Sequence, residues 1–91
     1  MAPDDIPALP RGVRLHFDKA RDSWVLLAPE RALMLDAIGH AILSEIDGSR
    51  SFNAITSGLA AKYAAPKPQI AADSAAFLGS LRARRFLDVI S

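Results

Sequence analysis

Residues 11–18 read RGVRLHFD and residues 25–31 read VLLAPER, and these two stretches indicate the fold of the chain more clearly than any others. In the first, apolar residues at 13, 15 and 17 alternate with polar residues at 14 and 16, which is the period of a half-buried strand. Residues 24–28 form a continuous apolar run, typical of a central strand covered on both sides. Pro29 cannot donate to a ladder and ends that strand, so residues 32–35 are predicted as a short third strand after a tight turn.

Three helices are predicted after the strands. Asp36 is a suitable N-cap for a helix over residues 37–46, and Gly48 is predicted as its left-handed C′ residue. Ser51 is predicted to cap a second helix over residues 52–63, and Pro68 fits the first turn of a third that runs to about Arg85. The apolar positions expected to face inward on the first and third helices are Ile38, Ala41, Ile42 and Ile46, and Ile70, Ser74, Phe77, Leu78 and Leu81.

Strands followed by helices predict an α+β class. The expected architecture is a small winged-helix-like domain with a three-stranded antiparallel sheet followed by three helices, in which Trp24 and Phe77 are substantially buried. Residues 1–10 hold three prolines and two adjacent aspartates, and they are predicted as a flexible or extended lead-in. Residues 11–91 are predicted as the single domain, with residues 86–90 a frayed end or a short extended piece.

Composition excludes several classes of function. The chain of 91 residues has no Cys and a formal charge of +1, so it offers no thiolate nucleophile, no Cys-based metal site and no strongly basic surface for nucleic acid. Residues 1–10 do not resemble a signal peptide, and charges interrupt every apolar stretch before it could span a bilayer. A cytoplasmic protein without membrane attachment is therefore expected.

The residue pattern predicts neither a catalytic nor a metal site. His16 and His40 fall on a strand and a helix, without carboxylates at metal-ligand spacing. No pair of carboxylates is placed for acid–base work, and no serine lies in a nucleophile elbow. The glycines are too scattered for a phosphate loop.

The motif RGVRLHFD…VLLAPER…LD, at residues 11–18, 25–31 and 35–36, resembles the small D protein family of pyrroloquinoline quinone (PQQ) biosynthesis, PqqD. Such proteins are RiPP recognition elements, which bind ribosomally made precursor peptides. The resemblance runs from about Leu9 to Leu87 and implies a non-catalytic carrier that binds no cofactor. It also implies two partners: the precursor peptide of PQQ and a radical S-adenosylmethionine (SAM) enzyme that cross-links Glu and Tyr side chains of that peptide.

The third strand is the candidate binding element, because a short apolar edge strand must be covered. Its cover is the protein's own helix, a second copy of the chain, or an added peptide strand. We expect the peptide to add along the edge strand and to rest against a stripe of the third helix, in which Arg82 pairs with an acidic side chain. The predicted site residues are Arg31, Ala32, Leu33, Met34 and Leu35 on the strand and Ala71, Ser74, Leu78 and Arg82 on the helix.

Two other functions remain open from the sequence. A winged-helix DNA binder needs a basic recognition helix, and here the second helix offers only Lys62, whereas the arginines of the third lie at its C-terminal end. Arg82, Arg84 and Arg85 there are explained either by the helix dipole or by docking of an acidic surface. A small structural dimerisation domain is the remaining alternative, and the sequence does not distinguish a monomer from a homodimer.

Overall fold

The computed structural model describes residues 1–90, and it has the α+β order that the sequence predicts. The two added elements are a strand at each end of the chain. The elements in chain order are β1 Ile6–Ala8, β2 Arg14–Asp18, β3 Ser23–Ala28, β4 Arg31–Met34, α1 Ala37–Ser44, α2 Phe52–Tyr63, α3 Lys67–Ala83 and β5 Asp88–Ile90.

The antiparallel sheet has the strand order β2-β3-β4, as predicted. Leu26 of β3 lies at its centre, opposite Leu15 on one side and Leu33 on the other. Because side chains alternate along a strand, these three leucines share one face of the sheet. Leu26 is completely buried in the hydrophobic core beneath the helices.

The centre of β3 is buried on both faces of the sheet, at Leu26 and at Val25, whereas the flanking strands expose their side chains on the Val25 face. Arg14, His16, Ala32 and Met34 lie on this face and are exposed. Val25, between His16 and Met34 in the register, is nevertheless buried. A chain of this size has only three helices to cover the sheet, and they pack on the Leu26 face.

The N-caps predicted for α1 and α2 are present in the structure. The Asp36 carboxylate accepts a hydrogen bond from the Gly39 backbone N–H at 2.7 Å, and the Ser51 hydroxyl accepts one from Ala54 at 3.1 Å. Both bonds satisfy first-turn donors that have no partner within the helix. Pro68 lies in the first turn of α3, as predicted.

Helix α1 is shorter than predicted and is turned differently about its axis. It ends at Ser44, and its buried residues are Gly39, Ile42 and Leu43, whereas Ile38 is 69% exposed. Gly39 lies inward because α3 approaches closely: a Cβ added there would meet Cζ of Phe77 at 3.1 Å. The absence of a side chain at this position therefore permits the contact between the two helices.

Gly48 adopts a left-handed conformation, with φ at +79°, but it does not close α1. It lies beyond the end of the helix, in a turn built by the Asp47 carboxylate. That carboxylate accepts hydrogen bonds from the backbone N–H groups of Ser49 and Arg50, both at 2.9 Å, and these bonds lower the pKa of Asp47. The side chain of Arg50 also forms an ion pair with Glu45 at 2.7 Å, joining the end of α1 to the start of α2.

The core joins the sheet to α1, α2, α3 and the C-terminal segment. Trp24 and Phe77 are both partly buried, and Phe77 packs against the buried cluster without belonging to it. The two phenylalanines of the core are Phe86, which is 1% exposed, and Phe52, which is 5% exposed. The buried apolar residues of the cluster are Leu26, Ile42, Leu43, Phe52, Ile55, Leu59, Leu78, Leu81, Phe86 and Leu87.

The ends of the chain form a second sheet that the sequence did not reveal. Strand β1 pairs antiparallel with β5, and Pro7 is opposite Val89 and is buried. The carbonyls of Asp5 and Pro3 accept hydrogen bonds from the first two backbone N–H groups of α2, at 2.7 and 2.9 Å. In this structure, residues 1–10 therefore contribute a paired strand and a cap for α2, which the lead-in prediction did not include.

We predict that Leu26→Ala lowers the free energy of unfolding by roughly 2–5 kcal/mol, because it leaves a cavity at the centre of the core. Leu27→Ala is the matched control, since it removes the same atoms from the half-buried opposite face and should cost much less. Urea unfolding followed by circular dichroism measures both variants. Equal losses would contradict the assignment of the two faces.

We also predict that deletion of residues 1–10 destabilises the domain. It removes the partner of β5, uncovers core residues and leaves the first N–H groups of α2 without acceptors, which together should cost roughly 2–5 kcal/mol. The measurement is again urea unfolding, with Asp4→Ser at an exposed position as the control. An unchanged midpoint would show that the segment contributes nothing to the fold.

Candidate functional site

Strand β4 has one edge that the described residues leave unpaired. The backbone N–H of Leu35 donates to the carbonyl of Trp24 at 3.0 Å, and Leu33 is opposite Leu26. Since hydrogen-bonded and non-hydrogen-bonded pairs alternate in an antiparallel ladder, Leu33 bonds inward and the N–H and C=O groups of Ala32 and Met34 point outward. Two residues thus present four main-chain hydrogen-bonding groups along this edge.

A groove runs beside the open edge, between β4 and α3, with a cavity of about 200 Å³. Its apolar floor comes from both elements, and its charged groups lie toward its ends. The lining residues are Leu33, Met34, Leu35, Asp36, Phe77, Ser80, Leu81 and Arg84. An extended segment added to β4 would alternate its side chains, so every second one would enter this groove.

One arginine connects the start of β4 to the end of α3. The guanidinium of Arg31 donates to the carbonyl of Arg84 at 2.7 Å and lies 4.2 Å above the ring of Phe86. Arg84 lies over the same ring, with its guanidinium carbon 5.4 Å from the centroid. These contacts join β4 to α3 at one end of the groove, and at the other end the close approach of Gly39 to Phe77 joins α1 to α3.

The groove therefore has opposite charges at its two ends. Arg84 is exposed at the end near Arg31, where it can pair with a carboxylate on a ligand. Asp36 is exposed at the other end, where one of its carboxylate oxygens already caps α1. The apolar stretch between them is suited to aliphatic or aromatic side chains.

The strand residues of the predicted site lie on β4 and directly after it, and different helix residues lie beside them. Residues 31–34 form β4, and Leu35 continues its pairing with β3. On α3, Ser74 and Leu78 are buried in the interior, and Ala71 lines a separate crevice with Phe52 and Pro3. Arg82 is exposed but is not among the residues that line the groove.

The helix residues that face the groove are Phe77, Ser80, Leu81 and Arg84. The predicted stripe is displaced from them by about one residue, which rotates the face of a helix by about 100°. Both stripes contain apolar residues at helical spacing, so the sequence pattern does not distinguish them. The arginine cluster at the end of α3 was the sequence feature that indicated this end of the groove, although the arginine that lines the groove is Arg84 and not Arg82.

A second groove, almost entirely apolar, lies on the other side of the contact between α1 and α3. Its cavity of about 360 Å³ lies among the three helices. Two of its residues are unusually exposed for large apolar side chains: Ile38 at 69% and Tyr63 at 54%. The lining residues are Ala37, Ile38, Ala41, Ile42, Leu59, Tyr63, Ile70, Asp73 and Ser74.

The histidines have packing or surface positions. The ring of His40 stacks on that of Trp24 at a centroid distance of 4.3 Å, and Phe17 meets the same indole edge-on at 5.4 Å. His16 is exposed on the open face of the sheet. Within residues 1–90, no three His, Asp or Glu side chains are grouped so that they could hold a metal ion. No helix in the same range is long and apolar enough to cross a bilayer.

Residues 23–87 match the family model of coenzyme PQQ synthesis protein D, PqqD. The chain is similar to several proteins named PqqA binding protein. The one from Rhodopseudomonas palustris strain BisB5 is 48% identical over 81 residues, which cover 89% of this chain and 79% of that protein. The one from Xanthomonas oryzae pv. oryzae strain PXO99A is 45% identical over 84 residues, which cover 92% and 91%.

Solved structures resemble the fold over nearly its whole length. One is a solution NMR structure of the PqqD truncation of Methylobacterium extorquens PqqCD, a functional and stand-alone RiPP recognition element. It has a TM-score of 0.82 and 41% identity and covers 96% of this chain and 93% of that chain. TbiB1 in complex with the TbiA(beta) leader peptide has a TM-score of 0.75 at 24% identity, covering 89% and 94%, and is a likeness of fold alone.

We predict that Arg31→Ala lowers the free energy of unfolding by roughly 1–2 kcal/mol, because it removes a charged hydrogen bond and a cation–π contact. Arg82→Ala, at an exposed position in the last turn of α3, should be nearly neutral. Thermal and urea unfolding compare the two variants. Equal effects would show that the contact of Arg31 with Phe86 and Arg84 does not hold β4 in place.

Proposed function

The chain belongs to the family of coenzyme PQQ synthesis protein D, and from this premise we propose that it binds the precursor peptide of PQQ as an additional strand on β4. The open edge of β4, beside a groove with an apolar floor and charged ends, is the observation that carries the proposal. The protein performs no chemistry on the peptide and presents it to a radical SAM enzyme of the same pathway. Because the peptide is made on ribosomes, we place this encounter in the cytoplasm.

Strand addition is the mode of binding that fits the edge best. The outward groups of Ala32 and Met34 can form about four main-chain hydrogen bonds with an extended peptide, worth roughly 0.5–1.5 kcal/mol each. The outer edge of β2 is unpaired in the three-stranded sheet as well, but the groove with its apolar floor lies beside β4. The side chains of the peptide therefore favour β4.

Side chains of the peptide supply the rest of the affinity. Two or three apolar anchors in the groove contribute roughly 1.5–3 kcal/mol each, against several kcal/mol for association and for ordering the peptide. A dissociation constant near micromolar, about −8 kcal/mol, is the expected balance. An acidic residue of the peptide pairs with Arg84 at the end of the groove.

The relatives support this assignment by name. Similar chains from Rhodopseudomonas palustris, Rhizobium meliloti and Xanthomonas oryzae are PqqA binding proteins. The Methylobacterium extorquens structure at 41% identity is a recognition element that functions alone. The role we propose is accordingly that of a carrier without catalytic residues or a bound cofactor.

We predict that Met34→Pro weakens binding of synthetic PqqA peptide at least tenfold. Proline removes the outward N–H of Met34, and edge strands tolerate it at outward positions. Met34→Ala is the matched control, since it shortens the same side chain and keeps the donor, and it should weaken binding much less. Isothermal titration calorimetry measures the affinities, and circular dichroism checks that both variants are folded.

Leu33→Pro should act differently from Met34→Pro. The N–H of Leu33 points into the sheet, so Leu33→Pro should destabilise the fold rather than remove a peptide contact. If folded Met34→Pro binds PqqA like the parent, or if NMR shift changes map to β2, strand addition at β4 is wrong. Sedimentation of the free protein identifies any dimer that pairs through β4, which would compete with the peptide.

A further inference from the structure

The apolar groove among the three helices has no role in strand addition, yet its composition is that of a binding site. Asp73 is the one charged residue in its lining, and the carboxylate of Asp73 bonds only to the Gln69 amide, at 3.1 and 3.2 Å, within the described residues. Ile38 and Tyr63 expose large apolar areas at its rim. Ligand sites are typically apolar concavities of about 300–1,000 Å³ with a few polar groups, and a cavity of about 360 Å³ falls in that class.

The two grooves adjoin. Asp36 lines the groove beside β4, and the next residue, Ala37, lines the apolar groove; both are exposed. On α3, Phe77 and Asp73 line the respective grooves and are one helical turn apart, a rise of about 6 Å. An extended chain advances about 3.3 Å per residue, so about two residues cross from one groove to the other.

We propose that the peptide strand continues past Asp36 over the start of α1 and places an apolar side chain in the groove between Ile38, Tyr63 and Ile70. This inference rests on the proposed strand addition at β4. The anchor lies about two to four residues beyond the last residue paired with β4. A Lys or Arg beside the anchor pairs with Asp73, since that carboxylate is the only charge that lines the groove.

The occupant is the peptide because of this continuity. A strand on β4 brings its own end to the entrance of the groove, so the second contact is intramolecular and gains effective concentration. A second copy of the chain or the face of a partner enzyme could bury the same apolar surface. With either of these occupants, the effect of a substitution in the groove would not depend on which residues the peptide contains. The experiment is designed around that difference.

The experiment titrates the full chain with synthetic PqqA peptide and with peptides shortened two residues at a time from each end. Ile38→Gln removes an exposed apolar contact at little expected cost in stability, and Ala61→Gln, exposed on α2 outside the groove, is the control. Ile38→Gln should weaken full-length PqqA about tenfold and leave unchanged the affinity for the shortened peptide that has lost the anchor. Asp73→Asn should weaken full-length PqqA about threefold, and this loss should disappear at high salt.

Several results overturn the proposal. One is that Ile38→Gln binds full-length PqqA like the parent, and another is that it weakens full-length and shortened peptides equally. A dimer of the free protein that dissociates in Ile38→Gln would assign the groove to a second copy.

Met34→Pro, measured alongside, separates this proposal from the proposed function. If it weakens binding and Ile38→Gln does not, the strand site stands and only the anchor fails. If Met34→Pro has no effect, strand addition itself is wrong, and with it a continuous path into the second groove.

Discussion

The structure depends on the burial of a single face of a three-stranded sheet. Leu26, with Leu15 and Leu33 opposite it, forms the centre of that face, and the helices cover it. A chain of 91 residues has too little material to cover both faces and both edges. The open outer face and the unpaired edge of β4 are the consequence, and the proposed function uses that edge.

Two contacts position β4 and the helix that follows it against α3. At one end, Arg31 reaches over Phe86 to the carbonyl of Arg84. At the other, the missing side chain of Gly39 lets α1 approach Phe77. The groove lies between the strand and the helix. An edge strand without such a groove could hydrogen-bond to any extended chain, whereas in the proposed mode of binding the groove adds selection by side chain.

The second sheet, formed by β1 and β5, fixes the position of the C-terminal segment. Phe86 and Leu87 belong to the core, and β5 follows them directly to pair with β1. Because the Phe86 ring lies beneath Arg31, the core position of this segment also supports the start of β4. The two ends of the chain are thereby linked to the edge at which the peptide is proposed to bind.

The sequence by itself determined the elements whose signals are local. The alternation at residues 13–17, the caps at Asp36 and Ser51 and the proline in the first turn of α3 all predicted correct strands and helices, because each depends on neighbouring residues. Tertiary structure decided the features that depend on residues far apart in the chain. The pairing of β1 with β5 joins segments some 80 residues apart, and short strands carry little periodicity of their own. The sequence analysis predicted a stripe of α3 that lies about one residue away from the one that faces β4. Both stripes contain apolar residues, and only the packing of α3 against Gly39 and β4 selects between them.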